Sequence, residues 1–460
     1  MPHPASSWET ERADAELRLA DGSRVGVVGA GPAGTLFAYF LLEIAGRAGL
    51  DLQVEIVEAK DFLQPSPQGC NMCGGIISES LVQNLASEGI NLPPTVIQRG
   101  IDSYHLHMDV GSVRIDTPLH EMRIGAVHRG SGPRDVQLRD WDSFDQHLLQ
   151  RAIDRGARLV RGRVDGIELD GGRPVLVLRG GGRETYDLLA VATGVNASVL
   201  KAFEAAGIGY RSPGVTKTFI REYHLGRDAI SRGLGSSMHV FLLNIPRLEF
   251  AAVIPKGDYV TVCMLGDDID HALVKAFLEA PEVRRCFPPD WQADGKSCQC
   301  MPHIAVRGAD RPYADRFVFV GDCGVTRLYK DGIGAAYRTA KAAARTAVFE
   351  GISAAAFARH YGPVCRAIES DNVMGRMAFV FTRVVQRIRV ARRTILRMTI
   401  DEQRRPGRLR RMSGILWDMF SGSAPYRDIF LRMLHPACAA RFAWAFLQSL
   451  RPGAAPRQEA

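Results

Sequence analysis

The sequence predicts an α/β fold, and three observations near its amino-terminal end predict it. A short apolar run rich in β-branched residues, 25–28, leads into the glycine-rich turn 29–34. Residues 35–44 then form a helix-length apolar run without proline or glycine, and a second apolar run follows at 52–57. Strand, turn, helix and strand in this order predict a βαβ unit.

The turn has the glycine spacing of a phosphate-binding loop. Gly29, Gly31 and Gly34 allow a tight turn, a close backbone approach to a pyrophosphate and close packing of helix on strand. The N–H groups and positive dipole end of the following helix favour a bound phosphate. Glu58 ends the second strand 24 residues after Gly34, near the spacing expected for an acid that binds a ribose 2′-hydroxyl. Together these residues predict a dinucleotide site.

Composition excludes several classes of protein. The 460 residues are 46% hydrophobic and 23% charged, which is typical of a globular chain of two or three domains. The net charge of +8 is unevenly distributed, because residues 383–411 hold 11 arginines against Asp401 and Glu402. No nucleic-acid-binding module accompanies this charge, so a nucleic-acid partner is not predicted.

Cysteine use and the amino-terminal residues indicate a reducing, cytoplasmic location. The nine cysteines are odd in number and irregularly spaced, which does not match a disulfide framework. The first 23 residues read as a loose leader, acidic where a signal peptide is basic.

A loop at residues 64–78 carries Cys70 and Cys73 in CxxC spacing. Three interpretations stay open: a disulfide relay, a metal site completed by Cys298, Cys300 and His303, or a loop cysteine beside a packing cysteine. The spacing fits no zinc pattern, so no metal site is predicted.

Further elements follow in order along the chain. Strand-like alternation at 101–127 leads to a helix at about 139–155, more strands at 157–180, and a buried strand that delivers Thr193 and Gly194 to a turn. Strand-like runs continue through 205–300.

Another apolar strand ends in Gly321-Asp322, and an alanine-rich helix runs from Gly332 to about Glu350. Beyond 355 the pattern is helical, and residues 381–411 read as one basic amphipathic stretch with Phe381, Val384, Ile388, Ala391, Ile395 and Met398 on one face.

Four separated motifs together resemble a flavoprotein family. They are the glycine turn with Glu58, Arg139 before a Phe-Asp helix, Ala192-Thr193-Gly194, and Gly321-Asp322 with its following glycine-rich helix. The family includes the geranylgeranyl reductases and, more distantly, aromatic hydroxylases of the glutathione-reductase type.

The resemblance implies FAD as cofactor and a Rossmann-like FAD-binding domain. It implies FAD contacts at Gly29, Gly31, Pro32, Ala33, Gly34, Glu58, Cys73, Gly74, Gly75, Arg139, Val164, Thr193, Gly194, Asp322, Gly332, Ile333 and Gly334. From the residues alone, Asp322 reads equally as a cap, and Arg139 reads as a surface cation.

The domain organisation expected from this resemblance has four parts. Residues 1–23 are the leader, and the FAD-binding domain combines 24–100, 130–204 and 300–352. A β-rich substrate domain with a mixed sheet is inserted as 101–129 and 205–299, and 353–460 form the C-terminal helical region.

The segment Cys73-Gly74-Gly75-Ile76 resembles the Cys-Gly-Gly loop beside the flavin in geranylgeranyl reductases. This resemblance implies that Cys73 is catalytic, donating a proton to the alkene being reduced or orienting it. Tyr329 and His303 are the alternative proton donors. Ala252 stands where that subfamily has a tryptophan against the prenyl chain, which favours a wider pocket or a different substrate.

Three functions are therefore expected in order of preference. The first is an FAD-dependent oxidoreductase that reduces C=C bonds of an isoprenoid or other lipophilic substrate by hydride transfer from flavin N5. The second is an FAD monooxygenase using NAD(P)H and oxygen, and the third an electron-transfer flavoprotein serving a quinone or protein acceptor. The external electron donor stays open among NAD(P)H, ferredoxin and another carrier.

Residues 381–411 are suited either to contact with a peripheral membrane surface or to packing on the FAD domain.

Overall fold

The computed structural model describes residues 17–64, 71, 73–117, 124–133, 140–292, 299–405 and 409–450. The chain divides into two compact units, each assembled from separated segments. Unit 1 comprises residues up to 64 with 144–215 and 303–370, and unit 2 comprises 65–143, 216–302 and 371–460.

The strands are β1 (Arg24–Val28), β2 (Gln53–Glu58), β3 (Ile76–Ile77), β4 (Ile97–Ile101), β5 (Ser103–Met108), β6 (Gly111–Asp116), β7 (Ile124–Val127), β8 (Arg158–Arg161), β9 (Val164–Asp170), β10 (Arg173–Leu178), β11 (Arg183–Thr185), β12 (Leu188–Val191), β13 (Gly214–His224), β14 (Ser237–Phe241), β15 (Leu248–Lys256), β16 (Tyr259–Gly266), β17 (Gln299–Cys300), β18 (His303–Arg307), β19 (Tyr313–Ala314) and β20 (Phe317–Phe319).

The helices are α1 (Pro32–Ala48), α2 (Glu79–Ser87), α3 (Phe144–Asp154), α4 (Leu200–Ala205), α5 (Arg227–Gly233), α6 (His271–Glu279), α7 (Pro281–Arg284), α8 (Gly332–Phe349), α9 (Ala354–Ala356), α10 (Gly362–Arg387), α11 (Arg389–Gln403), α12 (Arg411–Ser421), α13 (Tyr426–Leu434) and α14 (Pro436–Ser449). A 3₁₀ turn spans Gly321–Cys323, and a π-helical turn spans Phe357–Tyr361.

Unit 1 is centred on a sheet with strand order β19-β20-β12-β1-β2-β8. The pairs β20-β12, β12-β1, β1-β2 and β2-β8 are parallel. Because β1 and β2 are buried along nearly their whole length, both faces of the sheet are covered, as parallel sheets require. Helix α1 packs beside α8, where the rings of Phe40 and Tyr337 meet edge to face at 5.4 Å. The predicted βαβ unit and α/β class are confirmed.

Unit 2 contains a larger mixed sheet in the order β17-β13-β16-β15-β14-β5-β6. Strands β14 and β5 are parallel, and the β13-β16, β16-β15, β15-β14 and β5-β6 pairs are antiparallel. A second, smaller sheet of unit 2 has the order β3-β7-β4. Every residue of β15 is buried, which places this strand in the middle of the unit's core.

C-terminal helices of unit 2 pack on the same sheet. The guanidinium of Arg392 on α11 forms a two-pronged ion pair with Asp109, at 2.6 Å and 2.8 Å, in the β5-β6 turn. The ring of Trp417 on α12 is fully buried and meets Tyr104 of β5 edge to face at 5.0 Å. A charged contact and an aromatic contact therefore fix these helices to the sheet.

The prediction of one amphipathic stretch over 381–411 needs correction. The backbone leaves helical geometry at Ile388, with φ −100° and ψ 107°, and this separates α10 from α11. Ala391, Ile395 and Met398 are buried, whereas Val384 and Ile388 are exposed. The predicted face therefore divides into a core-facing part on α11 and an exposed part on α10.

Among the described residues, no helix combines the length and the apolar character needed to cross a membrane.

Two glycines of α1 allow a matched test of the close packing in unit 1. A Cβ at Gly34 would lie 1.9 Å from the carbonyl oxygen of Gly29, whereas a Cβ at Gly46 meets nothing within 4 Å. We expect Gly34→Ala to lower the free energy of unfolding by about 1–3 kcal/mol or more, because the obstructing atom belongs to the backbone. Gly46→Ala removes a glycine from an exposed helix position and is expected to raise it by up to about 1 kcal/mol. Denaturant unfolding followed by circular dichroism measures both, and equal effects at the two positions would contradict the packing argument.

Candidate functional site

The turn between β1 and α1 has the close packing that the glycine spacing predicts. Gly29 has φ +104°, and a Cβ there would lie 2.7 Å from the carbonyl oxygen of Ala192. Gly31 caps α1 in an extended conformation without a side-chain hydrogen bond, Pro32 occupies the first turn, and that turn holds no acidic residue. The first turn of α1 therefore has no acidic side chain of its own to oppose its positive dipole end, which suits it to bind an anion.

Glu58 lies at the end of β2 and is hydrogen-bonded to this turn. Its Oε2 accepts the N–H of Ala30 at 2.8 Å, and its Oε1 accepts the N–H of Lys60 at 2.8 Å. A carboxylate offers about four acceptor positions, so these bonds orient the group and leave capacity for a ligand hydroxyl. The acid that the sequence predicted as a ribose ligand thus also holds the glycine turn in place.

The Ala192-Thr193-Gly194 segment follows β12 directly and borders the same turn. Ala192 provides the carbonyl against Gly29, and Gly194 has φ +67° with open space where a Cβ would be. Val164 packs in the core cluster that also contains Val28 and Val57, the ends of β1 and β2. The structure therefore gathers these predicted residues near the carboxyl ends of the parallel strands, where ligands of open α/β sheets bind.

The Gly321-Asp322 motif lies against the start of α1. Gly321 has φ +68°, and a Cβ there would come 2.6 Å from the Cβ of Ala33. The N–H of Gly321 donates to Oγ1 of Thr339 on α8 at 3.1 Å. An Oδ1 atom of Asp322 faces Gly332, 3.7 Å from the position of a Cβ there. Residues about 290 positions apart in the sequence are thus brought into one site.

The start of α8 is conformationally restricted. Tyr329 and Asp331 both have positive φ, at 59° and 54°, which costs energy for non-glycine residues and is frequent at functional sites. A Cβ at Gly334 would lie 2.1 Å from Oδ1 of Asp331, so any larger residue at this position would displace the Asp331 carboxylate. Ile333 beside it is buried.

Two arginines neutralise Asp331. Arg327 and Arg338 lie 3.6 Å and 3.3 Å from its Oδ2. Burial raises the pKa of Asp331, and the two guanidinium groups oppose that rise. The Arg327 side chain is therefore directed to a carboxylate of the protein itself.

The Cys73-Gly74-Gly75 loop belongs to unit 2. The N–H of Gly75 points to Sγ of Cys73 at 3.4 Å, and the carbonyl of Gly75 accepts the N–H of Val127 at 2.8 Å. Gly75 has φ +65°, and a Cβ there would lie 2.1 Å from the Val127 oxygen and 2.9 Å from Nζ of Lys256. Cys73 is a partly exposed free thiol.

A buried charged group lies beneath this loop. Nζ of Lys256 lies 3.4 Å from Oε1 of Glu222, which also accepts the hydroxyl of Thr261 at 3.0 Å and lies 3.7 Å from Nδ1 of His128. Lys256 and His128 are each 1% exposed. Burial alone would raise the pKa of Glu222, but Lys256 and His128 outweigh it and hold that pKa at about 2. The group is therefore an ion pair inside the sheet.

Glu222, His128 and Lys256 were not among the site residues predicted from the sequence. One signal was present: Lys256 ends an apolar run, 250–255, with no charged neighbour inside it. A lysine at the end of such a strand needs a buried partner. Arg139 and Cys70 lie outside the described residues, as does Cys298 of the metal alternative. His303 binds Asn196 through its backbone, at 2.9 Å in both directions.

Comparison with known proteins yields structural neighbours. No family model matches the sequence, and no curated protein matches it. A geranylgeranyl bacteriochlorophyll reductase-like protein from Thermoplasma acidophilum is 15% identical with a TM-score of 0.61, over 93% of this chain and 100% of that one. A flavoprotein/dehydrogenase from Cytophaga hutchinsonii is 14% identical with a TM-score of 0.62, over 93% and 100%.

A third neighbour, 2-methyl-3-hydroxypyridine-5-carboxylic acid oxygenase, is 16% identical with a TM-score of 0.55, over 80% of this chain and 93% of that one. At these identities the likeness shows a shared fold. The chain thus has the fold of this group of reductases and oxygenases, as its motifs predicted.

The Glu222 pair predicts a specific acid response. Its folded pKa of about 2 lies below the ordinary value of 4.5, so the folded state binds fewer protons than the unfolded state between these values. The stability contributed by the pair is complete above about pH 4.5 and is lost as the pH falls toward 2. We expect Glu222→Gln to lower the free energy of unfolding at pH 7 by about 3–5 kcal/mol, because Lys256 loses its partner. The deficit should shrink as the pH falls.

Thermal unfolding of both proteins from pH 7 to pH 3 measures this difference. Glu279→Gln is the control, since Glu279 is 65% exposed in a surface pair with Lys275, and its profile should follow that of the unchanged protein. A constant deficit of Glu222→Gln at every pH would contradict the assignment.

Proposed function

We propose that this protein is an FAD-dependent oxidoreductase that reduces carbon–carbon double bonds of an isoprenoid or other lipophilic substrate. The observation that carries the proposal is the contact between Gly321 and Ala33, which sets the Gly-Asp motif against the phosphate-binding turn. A dinucleotide bound there has a helix N-terminus for its phosphates and carboxylates for its hydroxyls. The names of the neighbours with this fold, a reductase-like protein and a flavoprotein/dehydrogenase, support the same reading.

The described residues of unit 1 fit FAD. Gly29, Gly34 and Gly321 have no side chain, and a Cβ at any of these positions would collide with neighbouring atoms. The backbone is therefore the only part of these residues that borders the site. Bound FAD supplies a hydride from its N5 position. The proposed contacts of unit 1 are Gly29, Gly31, Pro32, Ala33, Gly34, Glu58, Val164, Thr193, Gly194, Asp322, Gly332, Ile333 and Gly334.

Cys73 is the proposed proton donor. When a hydride adds to one carbon of a C=C bond, the other carbon must receive a proton, and a weak acid has to deliver it. The thiol of Cys73 releases its proton to that carbon, and the sulfur left as thiolate accepts the Gly75 N–H that already faces it at 3.4 Å. Solvent then returns a proton to the sulfur.

Cofactor and reaction class are separable by experiment. A flavin absorption spectrum of the purified protein tests FAD, and its absence after reconstitution overturns the whole proposal. Anaerobic photoreduction followed by mixing with a prenylated lipid, quinone or oxygen then tests the class. Reoxidation by the prenylated lipid with a saturated product supports the reductase. Rapid oxygen consumption with a hydroxylated product identifies a monooxygenase instead, and reoxidation only by quinone or a protein acceptor identifies an electron-transfer flavoprotein.

Replacing Cys73 tests its catalytic role. We expect Cys73→Ser to retain bound flavin and to lose about 10²–10⁴-fold in turnover, because a hydroxyl is a much weaker acid than a thiol. Cys300→Ser removes another partly exposed thiol of unit 2 and should leave turnover unchanged. Flavin content by absorbance and single-turnover product formation measure both. Unchanged turnover of Cys73→Ser would exclude the assignment.

The exposed face of α10 supports a peripheral contact with an anionic membrane, the source of a lipophilic substrate. Its side chains Val373, Met377, Val380, Phe381 and Val384 are 41–56% exposed on one side of the helix. Ile388, just after the helix, is 47% exposed. Exposed arginines Arg383, Arg387 and Arg389 accompany this apolar face. Apolar side chains beside arginines suit the boundary of an anionic bilayer.

Vesicle sedimentation tests this contact. We expect binding to vesicles of phosphatidylcholine with phosphatidylglycerol and much weaker binding to phosphatidylcholine alone, with release by salt. The double variant Val380→Glu, Val384→Glu should lose most of the binding, because it places charges in the apolar face. Leu169→Glu alters another exposed apolar residue, in unit 1, and should bind normally. Equal binding by both variants would contradict the proposed surface.

A further inference from the structure

Three histidines lie together on one face of the large sheet of unit 2. His105 and His107 are two residues apart on β5, so their side chains lie on the same face. His239 on β14 pairs with His105 in the parallel register. The ring centroids of His105 and His107 lie 4.8 Å and 5.1 Å from that of His239.

The nitrogen atoms of these rings converge. Nε2 of His107 lies 2.9 Å from Nδ1 of His239, and one ring nitrogen from each histidine falls within a group spanning 4.8 Å. Sγ of Cys286, which follows α7, lies 3.3 Å from the same Nδ1 of His239. Three imidazole nitrogens thus converge, and the thiol of Cys286 lies beside one of them.

The geometry points to a divalent transition-metal site, with His105, His107 and His239 as ligands and Cys286 as the fourth. A tetrahedral zinc ion holds nitrogen at about 2.0–2.1 Å and sulfur at about 2.3 Å, which sets the ligand atoms about 3.3–3.6 Å apart. The observed separations of 2.9 Å and 3.3 Å are close to that range. The three ring nitrogens span up to 4.8 Å, so binding of an ion requires side-chain rotations that draw them together.

The three imidazoles are closely packed against one another and against a neighbouring ring. His239 is 5% exposed, and its Nε2 has no hydrogen-bond partner among the described residues. The ring of Phe241 stacks on His107 at 4.8 Å and limits its rotation. Three imidazoles, one of them buried, are packed closely together, and a shared cation would bind all three.

Nearby charges do not exclude a cation. The charged neighbours of His105 are Arg114 and Asp116, and the charged neighbour of His107 is Arg285. Arg114 is paired with Asp116 at 2.8 Å, and Arg285 lies 3.9 Å from Glu282. Each arginine therefore has a carboxylate beside it, which reduces its repulsion of a bound ion.

The inferred ion joins two strands and the segment after α7, so its role is structural. On binding, the thiol of Cys286 loses a proton to solvent and its sulfur forms the metal bond. All four ligands lie in unit 2, apart from the unit 1 residues proposed to hold FAD. Metal binding and flavin binding can therefore be measured independently, and failure of one does not decide the other.

The experiment uses full-length protein with every affinity tag removed, because a histidine tag would itself bind the probe. After dialysis against a chelator, the protein is titrated with Co²⁺ and separately with Zn²⁺. We expect one equivalent of Co²⁺ to bind with the visible bands of tetrahedral cobalt and a near-ultraviolet thiolate band. Zn²⁺ should displace it and raise the thermal midpoint.

His105→Gln and His239→Gln are expected to weaken binding at least 100-fold, and Cys286→Ser should remove the thiolate band. His105→Gln is the milder change, since its side chain is only partly buried. His271→Gln, at an exposed position at the start of α6, is the control and should bind normally. Absence of stoichiometric cobalt binding overturns the site, as does binding by His105→Gln equal to that of the control. A tetrahedral spectrum without the thiolate band overturns the assignment of Cys286.

Discussion

The contact between the Cα of Gly34 and the carbonyl of Gly29 is the constraint on which unit 1 depends. A Cβ at Gly34 would lie 1.9 Å from that oxygen, and one at Gly29 would lie 2.7 Å from the carbonyl of Ala192. The absence of two side chains lets α1 start directly above β1 and lets the end of β12 approach the turn. Gly321 likewise lies so close to Ala33 that a side chain there would collide with it. Steric fit between backbone segments, rather than side-chain bonding, thus defines the shape of the candidate nucleotide site.

Local sequence predicted the features that depend on neighbouring residues. The glycine turn, the strands β1 and β2, and Glu58 at its strand end follow from period and spacing, and the structure confirms the α/β class. The pairing of Glu222 with Lys256 could not be predicted, because strand register brings together residues 34 positions apart. The break at Ile388 was missed because α10 and α11 share one apolar period, and only packing against the sheet decides which side chains become buried. The predicted roles of the site residues stay predictions.

Unit 2 holds two clusters of polar side chains, and these clusters are stabilised in different ways. Glu222, Lys256 and Thr261 satisfy one another as an ion pair with hydrogen bonds, and no external group is needed. His105, His107 and His239 are all of one kind, so no member can supply an opposite charge to the others. A sheet core tolerates the paired charges of Glu222 and Lys256 without any added group. The histidine cluster is stabilised by the proposed metal ion, which comes from outside the chain.

The strand order of unit 1 has a consequence for synthesis on the ribosome. β1 near the start of the chain pairs with β12, and β12 pairs with β20 at residues 317–319. The α1 helix lies beside α8, which ends at Phe349. The parallel sheet therefore stays incomplete, with an open apolar edge at β12, until β20 has been synthesised some 128 residues after the end of β12. During that interval, which lasts on the order of ten seconds at typical elongation rates, this edge of β12 has no strand partner in the nascent chain.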